Sequence, residues 1–353
     1  MSQRKWVGWI AVAALALMLA SGCAVLPSED SAVQIDPPPE GANVEGGELS
    51  VPASAQGTEP SKAMEVTLYF KDSSGFVVPL SVPMPATERV AQQSLEYMVE
   101  GGPGQALLPE GFTPLIPKGT EVRPINIDFE QKLAVVDFSE EFTRYNPQDE
   151  RKILEAITWT LTGFPTIDKV RLQVKGVNLT EMPVNGTPLD EPLTRAMGIN
   201  LEAAPGVDPG RSTAVTVYFL KESAENFTYL VPVTRLTDRT DNVAVAAMEE
   251  LIKGPLGNKD LLPVLNPQTE ILDVQHQNEM VTANFSEQLL DANHAAPAEA
   301  LESVVLSLSE NTGAGKVQIM VNGEAKVVAD DRTDYSKPVA RPVHPNKYTL
   351  QAI

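Results

Sequence analysis

The sequence VTLYF at residues 66–70 returns as VTVYF at residues 215–219, and this pair opens a long internal repeat. The offset is 149 residues, measured from Thr67 to Thr216. Each pentapeptide precedes a second extended stretch with a central proline, VVPLSVP from Val77 and YLVPVTR from Tyr229. Such apolar, β-branched stretches predict strands, and their recurrence in one order predicts a structural unit that is present twice.

The match continues through a helix in both copies. Residues 90–99 and 243–252 carry apolar side chains three and four positions apart, and GGP or GP follows each segment. That spacing, ended by glycine and proline, predicts a short amphipathic helix. We therefore expect the glycines at residues 101, 102 and 104 to act as a helix stop.

The rest of each copy follows the same order. A hairpin is predicted at residues 122–142 and 271–289, with turns near Glu130 and Asn278, because apolar and polar residues alternate there. A second helix (LEAITWTLT from residue 154, LESVVLSLS from residue 301) and a strand (VRLQVKG, VQIMVNG) complete the unit. The closing segments EPLTR (191–195) and KPVAR (337–341) share a proline and an arginine.

This order predicts an α+β fold of two tandem small domains, each with two helices packed on a small mixed β-sheet. We place the first copy at residues 65–199 and the second at residues 214–346. Residues 200–213 are the predicted linker. Because the linker is short, packing of the two domains against each other is a hypothesis that the sequence leaves open.

The amino-terminus has the order of a secretory signal. Arg4 and Lys5 precede an apolar run at residues 6–20, and small residues follow. The run is shorter than the roughly 20 apolar residues of a spanning helix. It ends at ASGC, which resembles the lipobox of bacterial lipoproteins and places Cys23 at the site of lipid attachment. The alternative is an ordinary secreted protein that is cut after Gly22.

The sole cysteine and the segment behind it support anchoring. Cys23 is the only cysteine in 353 residues, so it cannot form an internal disulfide. Residues 24–64 are rich in proline, glycine, serine and glutamate and hold almost no large apolar side chains. Such a composition cannot bury enough surface to fold. We expect a signal peptide at residues 1–22 and a lipidated, flexible acidic tether at residues 23–64.

The charge disfavours polyanionic partners. The formal net charge is −20, with 42% hydrophobic and 21% charged residues. Removal of residues 1–22 would take away Arg4 and Lys5 and leave −22. A surface of this sign repels nucleic acid and anionic polymers, so nucleic acid is not expected as a partner.

A search for catalytic patterns finds none. The three histidines, His276, His294 and His344, lie in separate segments without zinc-ligand spacing. No G-x-S-x-G motif occurs, and the S-x-x-K spacing is met only by Ser2 and Lys5 in the signal-like amino-terminus. TGAGKV from Thr312 lacks the first glycine and the Ser or Thr of a phosphate loop, so a helix-to-strand turn is favoured. We expect no catalytic residue, no metal and no cofactor.

The adjacent acids Glu140 and Glu141 were weighed as a sugar-cleaving pair. Glycosidases need two carboxylates that face each other across a cleft, whereas side chains adjacent in sequence usually diverge. The second copy has Glu287 and Gln288 at these positions. Glu140 and Glu287 are better interpreted as first-turn acids favoured by the helix dipole.

Three aromatic residues are the candidates for partner docking. Tyr69 and Tyr218 lie in the opening strands and Trp159 lies on the second helix. Each has a core alternative, because a strand or helix of this kind must bury one face. Assembly would use a flat, partly apolar edge, while a glycan site would need an exposed aromatic groove with polar groups around it.

The ordered motifs resemble the GerMN domain family of sporulation and germination proteins. The likeness rests on VT-x-YF, the central VP, the helix ending in GP, LLP, P-x-TE, FSE, TLT and V-x-G, each in tandem copies. One departure is GGPG at residues 101–104, where a plain GP is typical. The resemblance implies a fold related to the ring-building motifs of secretion systems and a family without known catalysis. GerMN domains also occur in bacteria that do not sporulate.

The resulting hypothesis is a non-enzymatic lipoprotein that acts as an assembly or docking module of an envelope complex. The resemblance implies protein partners in a transenvelope sporulation complex, association in rings, and a role in sporulation and spore germination. The expected location is the extracytoplasmic face of the cell membrane, which in sporulating cells includes the outer forespore membrane. The alternative is a peptidoglycan-binding or cell-wall maturation factor.

Overall fold

The computed structural model describes residues 63–257 and 260–348. The predicted signal peptide, Cys23 and the tether up to residue 62 lie outside the described residues. All described residues belong to one compact unit. Within them, every helix is too short or too polar to cross a bilayer.

The predicted order of elements is confirmed in both copies. The first copy contains β1 (Ala63–Lys71), β2 (Val77–Pro85), α1 (Val90–Tyr97), β3 (Asn126–Asp128), β4 (Leu133–Phe138), α2 (Glu150–Leu161), β5 (Lys169–Val174) and β6 (Val177–Asn178). Strand β7 (Glu202–Ala203) lies in the linker. The second copy contains β8 (Ser212–Glu222), β9 (Thr228–Asp238), α3 (Val243–Lys253), β10 (Ile271–Gln277), β11 (Met280–Phe285), α4 (Ala298–Thr312), β12 (Lys316–Val321) and β13 (Val339–Ala340).

Each copy has a long hairpin and a small mixed sheet. The sheets have the orders β3-β4-β5-β6 and β10-β11-β12-β13. In both, the first pair is antiparallel, the middle pair parallel and the last pair antiparallel. The parallel pair follows from the connection, because α2 or α4 carries the chain across between its strands. This is the predicted α+β fold.

Each opening strand is tied to the second helix of its copy by a tyrosine amide. Tyr69 lies opposite Pro79 in the β1–β2 ladder, as Tyr218 lies opposite Pro232 in the β8–β9 ladder. The Tyr69 amide donates to Thr160 Oγ1 of α2 at 3.2 Å, and the Tyr218 amide donates to Ser307 Oγ of α4 at 3.2 Å. The same contact between strand and helix is therefore present in both copies.

Glycines end two of the helices directly, Gly254 after α3 and Gly313 after α4, whereas α1 ends at Tyr97 with Met98 as its cap, before the glycines predicted to stop it. Gly101 and Gly254 both have φ of +77°, and Gly313, which follows α4, has φ of +69°. Side chains rarely adopt this left-handed region, which favours glycine. Gly313 therefore makes TGAGKV the predicted helix-to-strand turn. The second hairpin turns at Asn278, whose φ is +56°.

The segment after each copy packs on the other copy. In the linker, β7 pairs in parallel with β9 of the second copy. At the carboxyl end, Lys347 forms a parallel bridge with Ser81 of β2, and Ser81 Oγ donates to the Pro345 carbonyl at 2.8 Å. One cluster of buried apolar side chains runs through both copies. The two repeats are therefore in extensive contact.

An asparagine in each of these segments joins the two hairpins. Asn200 has φ of +47°. Its Oδ1 accepts from the Val77 amide at 2.8 Å, and its Nδ2 donates to the carbonyls of Val77 and Pro232 at 2.8 and 2.7 Å. The side chain thus bonds backbone of both copies at once.

Asn346, which has φ of +54°, makes the reciprocal set of bonds. Its Oδ1 accepts from the Leu230 amide at 2.7 Å, and its Nδ2 donates to the carbonyls of Leu230 and Pro79 at 2.7 and 2.8 Å. Leu230 and Pro79 occupy the repeat positions of Val77 and Pro232. The two asparagines therefore join β2 to β9 where the prolines prevent a continuous ladder.

Candidate functional site

The three aromatic docking candidates lie in the interior. Tyr69, Tyr218 and Trp159 are 4%, 1% and 1% exposed. The rings of Tyr69 and Trp159 are 5.9 Å apart, and burial raises the pKa of both tyrosines. All three rings therefore lie in the core, which is the alternative that the sequence offered for each, and none of them forms an exposed docking surface.

A charged cluster lies beside these aromatic residues, at the boundary between the copies. Arg195 Nη1 and Arg341 Nη2 both contact Glu310 Oε2, at 2.7 and 2.6 Å. Arg195 also stacks over the Trp159 ring at 4.5 Å, and Arg341 Nη2 donates to the Tyr218 hydroxyl at 3.0 Å. The shared arginines of EPLTR and KPVAR thus converge on a single carboxylate, which the sequence analysis did not identify.

The protonation state of this cluster follows from its geometry. Burial opposes ionisation of Glu310, but the charges of Arg195 and Arg341 outweigh it and lower the pKa of the carboxyl overall. Desolvation lowers the pKa of both arginines, but Glu310 raises that of Arg195 overall, and Tyr218 together with Glu310 raises that of Arg341 overall. All three groups are therefore ionised at neutral pH, and the cluster carries one net positive charge.

A second buried ion pair joins the copies directly. Lys221 Nζ contacts Asp72 Oδ2 at 2.8 Å, and the two side chains are 6% and 1% exposed. The Tyr229 hydroxyl donates to the same oxygen at 3.0 Å, and Lys221 lies 5.1 Å from the Phe76 ring. Asp72 and Lys221 are separated by the repeat offset of 149 residues. Because no part of the pair is accessible, its role is structural.

A third charged group ties the linker to the second copy. Arg235 is fully buried and contacts Glu250 Oε2 at 2.9 Å and Glu202 Oε1 of β7 at 2.6 Å. Its Nη2 also donates to the Gly254 carbonyl at 2.9 Å. Burial opposes ionisation of Glu250, but Lys253 and Arg235 lower its pKa overall.

The acids weighed for glycosidic chemistry do not form a facing pair. Glu140 lies in the first turn of a short 3-10 helix and pairs with Lys175 at 3.1 Å on the surface. Glu287 occupies the same place in the second copy. The three histidines are all exposed and far apart in the fold. Within residues 63–257 and 260–348, no three metal-ligating side chains converge.

Exposed apolar side chains lie instead at the sheet edges. Strands β3 and β10 are the first strands of their sheets, and no other described strand pairs with the outer side of either. Phe129, directly after β3, is 71% exposed, and Leu272 on β10 is 48% exposed. We call these two strands with Phe129 and Leu272 the edge surface.

The edge surface of the first copy adjoins a groove of about 400 Å³. Its apolar lining includes Val90, Ile125, Ile127, Phe129 and Phe164. In the second copy, the β10 register shifts between Ile271 and Asp273, a bulge of the kind that limits uncontrolled pairing at a sheet edge. The fold therefore leaves one edge strand of each copy unpaired among the described strands, with an exposed apolar side chain at each, and the bulge restricts pairing at the second edge.

Comparison with known proteins places these features in a family. The family model described as sporulation and spore germination, Germane, matches residues 67–180 and 216–327. The chain is 36% identical over 349 residues to the Bacillus subtilis (strain 168) spore germination protein GerM, covering 93% of this chain and 94% of that protein. A solved structure of the tandem GerMN domains of the Bacillus subtilis sporulation protein GerM superposes with a TM-score of 0.76 at 37% identity, covering 80% of this chain and 99% of that one.

Proposed function

The chain belongs to the Germane family of sporulation and spore germination proteins, which supports a role in sporulation, and from this premise we propose that it is a membrane-anchored lipoprotein serving as a non-enzymatic assembly module of an envelope complex. The proteins that it matches are named for sporulation and germination, and not for an enzymatic activity. Its partners in this proposal are proteins of that complex.

The edge surface is the observation that carries the proposal. An unpaired strand presents backbone N–H and C=O groups that another chain can extend. Phe129 and Leu272 add apolar area next to those groups, and the groove beside Phe129 can receive a partner side chain. Both copies carry such an edge, so one molecule has two places at which neighbours can join.

Anchoring is proposed from the sequence. The signal-like residues 1–22, the ASGC sequence at Cys23 and the acidic, proline-rich residues 24–62 support a lipid anchor on the extracytoplasmic face, with the folded repeats held away from it. During sporulation that face includes the outer forespore membrane. A Cys23→Ser variant should lose incorporation of radiolabelled palmitate and leave the membrane fraction. Equal labelling of this variant and the unaltered chain would overturn the anchor.

The assembly function is tested by crosslinking from the edge surface. A photoreactive phenylalanine is placed at residue 129 or 272 of the full chain, and at Val184, which is 39% exposed but lies outside that surface, as the matched control. In sporulating cells, we expect crosslinks to envelope proteins from residues 129 and 272 that are several times more abundant than from residue 184. Equal yields from all three positions, or crosslinks to wall glycan alone, would overturn assembly; the second result would favour the wall-binding alternative.

A further inference from the structure

A cavity of about 410 Å³ lies beside the Arg195–Glu310–Arg341 cluster. It is open to solvent at Val343, which is 75% exposed. Its lining combines two guanidinium groups with apolar surface from both copies, and includes Tyr69, Trp159, Gly163, Arg195, Arg341 and Val343. The established family membership assigns no role to this cavity. We infer that it binds a carboxylate group carried by an acidic segment of a partner protein, an inference that rests on the proposed assembly function.

The internal repeat indicates that a carboxylate is missing there. Arg195 and Arg341 hold equivalent positions in EPLTR and KPVAR, so the chain has two arginines where each copy contributes one. The helices LEAITWTLT and LESVVLSLS are followed by Gly163 in the first copy and by Glu310 in the second. One copy therefore supplies an arginine and an acid, and the other supplies an arginine alone.

Gly163 lies at the cavity wall, next to the arginine that lacks its own acid. A Cβ atom built on Gly163 would be 4.0 Å from Arg195 Nη2. Gly163 is itself part of the cavity lining. An external carboxylate can thus occupy the place that the repeat leaves empty and neutralise the remaining positive charge.

Arg341 has donors to offer such a group. Its Nη2 contacts Glu310 Oε2 and donates to the Tyr218 hydroxyl, whereas its Nε and Nη1 have no hydrogen-bond acceptor among the described residues. All three nitrogens of Arg195 already donate, to Thr162, Glu310 and the Trp159 carbonyl. Arg341 would therefore make the hydrogen bonds, while Arg195 adds charge and fixes the position of Glu310.

The lining favours a peptide carboxylate over a sugar. The two threonine hydroxyls at the cavity already donate, Thr67 Oγ1 to the Val343 carbonyl at 2.9 Å and Thr162 Oγ1 to the Thr158 carbonyl at 2.7 Å. A glycan would bring several hydroxyls that find few partners here. Apolar lining from Pro342, Val343 and Pro345 suits the aliphatic atoms that flank an acidic side chain in a protein segment.

The test is a titration of the full chain in detergent, followed by NMR of the Trp159 indole, whose Nε1 donates to the Gly198 carbonyl. The probe is the peptide acetyl-Pro-Glu-Val-amide, and acetyl-Pro-Gln-Val-amide is its neutral match. We expect saturable shifts with the glutamate peptide only, weakened about tenfold or more in Arg341→Gln, because a hydrogen bond to a charged group is lost. Arg341→Lys should retain part of the affinity.

A second variant tests the inference without changing Arg341, whose substitution could unfold the chain. Gly163→Glu supplies the missing carboxylate internally and should abolish peptide binding, while Thr180→Glu adds the same charge at an exposed position outside the cavity and should leave binding intact. Equal shifts with both peptides, unaltered affinity in Gly163→Glu, or binding of inorganic phosphate or of a wall muropeptide without the peptide would overturn the inference. Edge-surface crosslinking does not use this cavity, so its result separates failure here from failure of the assembly proposal.

Discussion

The two copies agree in the contacts that fold each copy and in the reciprocal bonds of Asn200 and Asn346, but they differ in the charged side chains that face the other copy. Within each, a tyrosine amide bonds a helix hydroxyl, and a loop glycine, Gly176 or Gly323, donates to an acidic or amide side chain. At the boundary, Asp72 faces Lys221, and Glu310 has only Gly163 as its counterpart. Duplication preserved the fold, while the facing positions became complementary.

This difference means that neither copy can replace the other. Two first copies would bring two Asp72 carboxylates together, and two second copies would bring two lysines together, each an uncompensated burial of like charge. The tandem chain is therefore a matched pair, and its stability depends on contacts that a single copy cannot make.

Lys221→Met should disrupt the contact between the copies most strongly. It keeps the apolar part of the side chain but leaves Asp72 buried without its ion-pair partner. We expect a loss of about 3–5 kcal/mol in the free energy of unfolding, measured by urea denaturation. The matched control is Lys175→Met, whose exposed pair with Glu140 should be worth about 1 kcal/mol or less. Adding Asp72→Leu to Lys221→Met should recover much of the loss; similar small losses in both single variants would contradict a role for the buried pair.

Glu310→Gln tests the shared carboxylate. Two guanidinium groups would remain without it, so we expect a loss of about 2–3 kcal/mol at pH 7. Because the pKa of Glu310 is lowered below its ordinary 4.5, its contribution is present above that pH and is lost as the pH falls further. The difference between variant and unaltered chain, from urea unfolding at several pH values, should shrink below pH 4.5. A difference that grows on acidification would reject this account.

Asn200 and Asn346, which join β2 to β9, test whether equivalent contacts across the boundary contribute equally to stability. Asn346→Gly keeps the positive φ but removes three hydrogen bonds, and should cost about 1–2 kcal/mol in unfolding free energy. Asn200→Gly should cost a similar amount, because its bonds are reciprocal. Asn226→Gly, also at positive φ but in an exposed turn, is the control and should change stability by a few tenths of a kcal/mol. Equal effects at all three positions would mean that the backbone alone matters.

The smallest effect contrasts two equivalent glutamates. Burial, with Glu299 and Asp331 nearby, raises the pKa of Glu302, so its charged form is penalised in the folded state and stability falls as the pH rises through that pKa. Glu302→Gln should therefore stabilise the chain by up to about 1 kcal/mol at pH 7 in thermal unfolding. Burial also raises the pKa of Glu155, its counterpart, although Arg151 and the Asn200 amide both donate to that carboxylate. Glu155→Gln weakens those bonds, so it should gain less stability than Glu302→Gln. An equal or larger gain from Glu155→Gln would contradict this contrast.

The sequence predicted those parts of the fold that have a periodic or a repeated pattern of residues. The helices, hairpins and glycine stops were predicted because their patterns span many residues and occur twice. Strands β6 and β13 have two residues each, too few to show alternation. Asp72 and Lys221 look like ordinary surface charges in sequence, although their opposite signs at one repeat offset were a usable signal. The buried role of Glu310 could not be predicted because this residue lies just past the compared segment LESVVLSLS, in the last turn of α4, which ends at Thr312.

The carboxyl-terminal arm also sets the order in which the protein can finish folding. Ser81 Oγ bonds the Pro345 carbonyl and Pro79 bonds Asn346, contacts separated by 264 and 267 residues in the chain. Synthesis runs from the amino-terminus, so β2 is made long before the arm that covers it. Until that arm is made, the strand edge is uncovered and open to incorrect pairing. Completion of the first copy therefore waits for residues 345–347, and their loss would leave the earliest part of the fold unfinished.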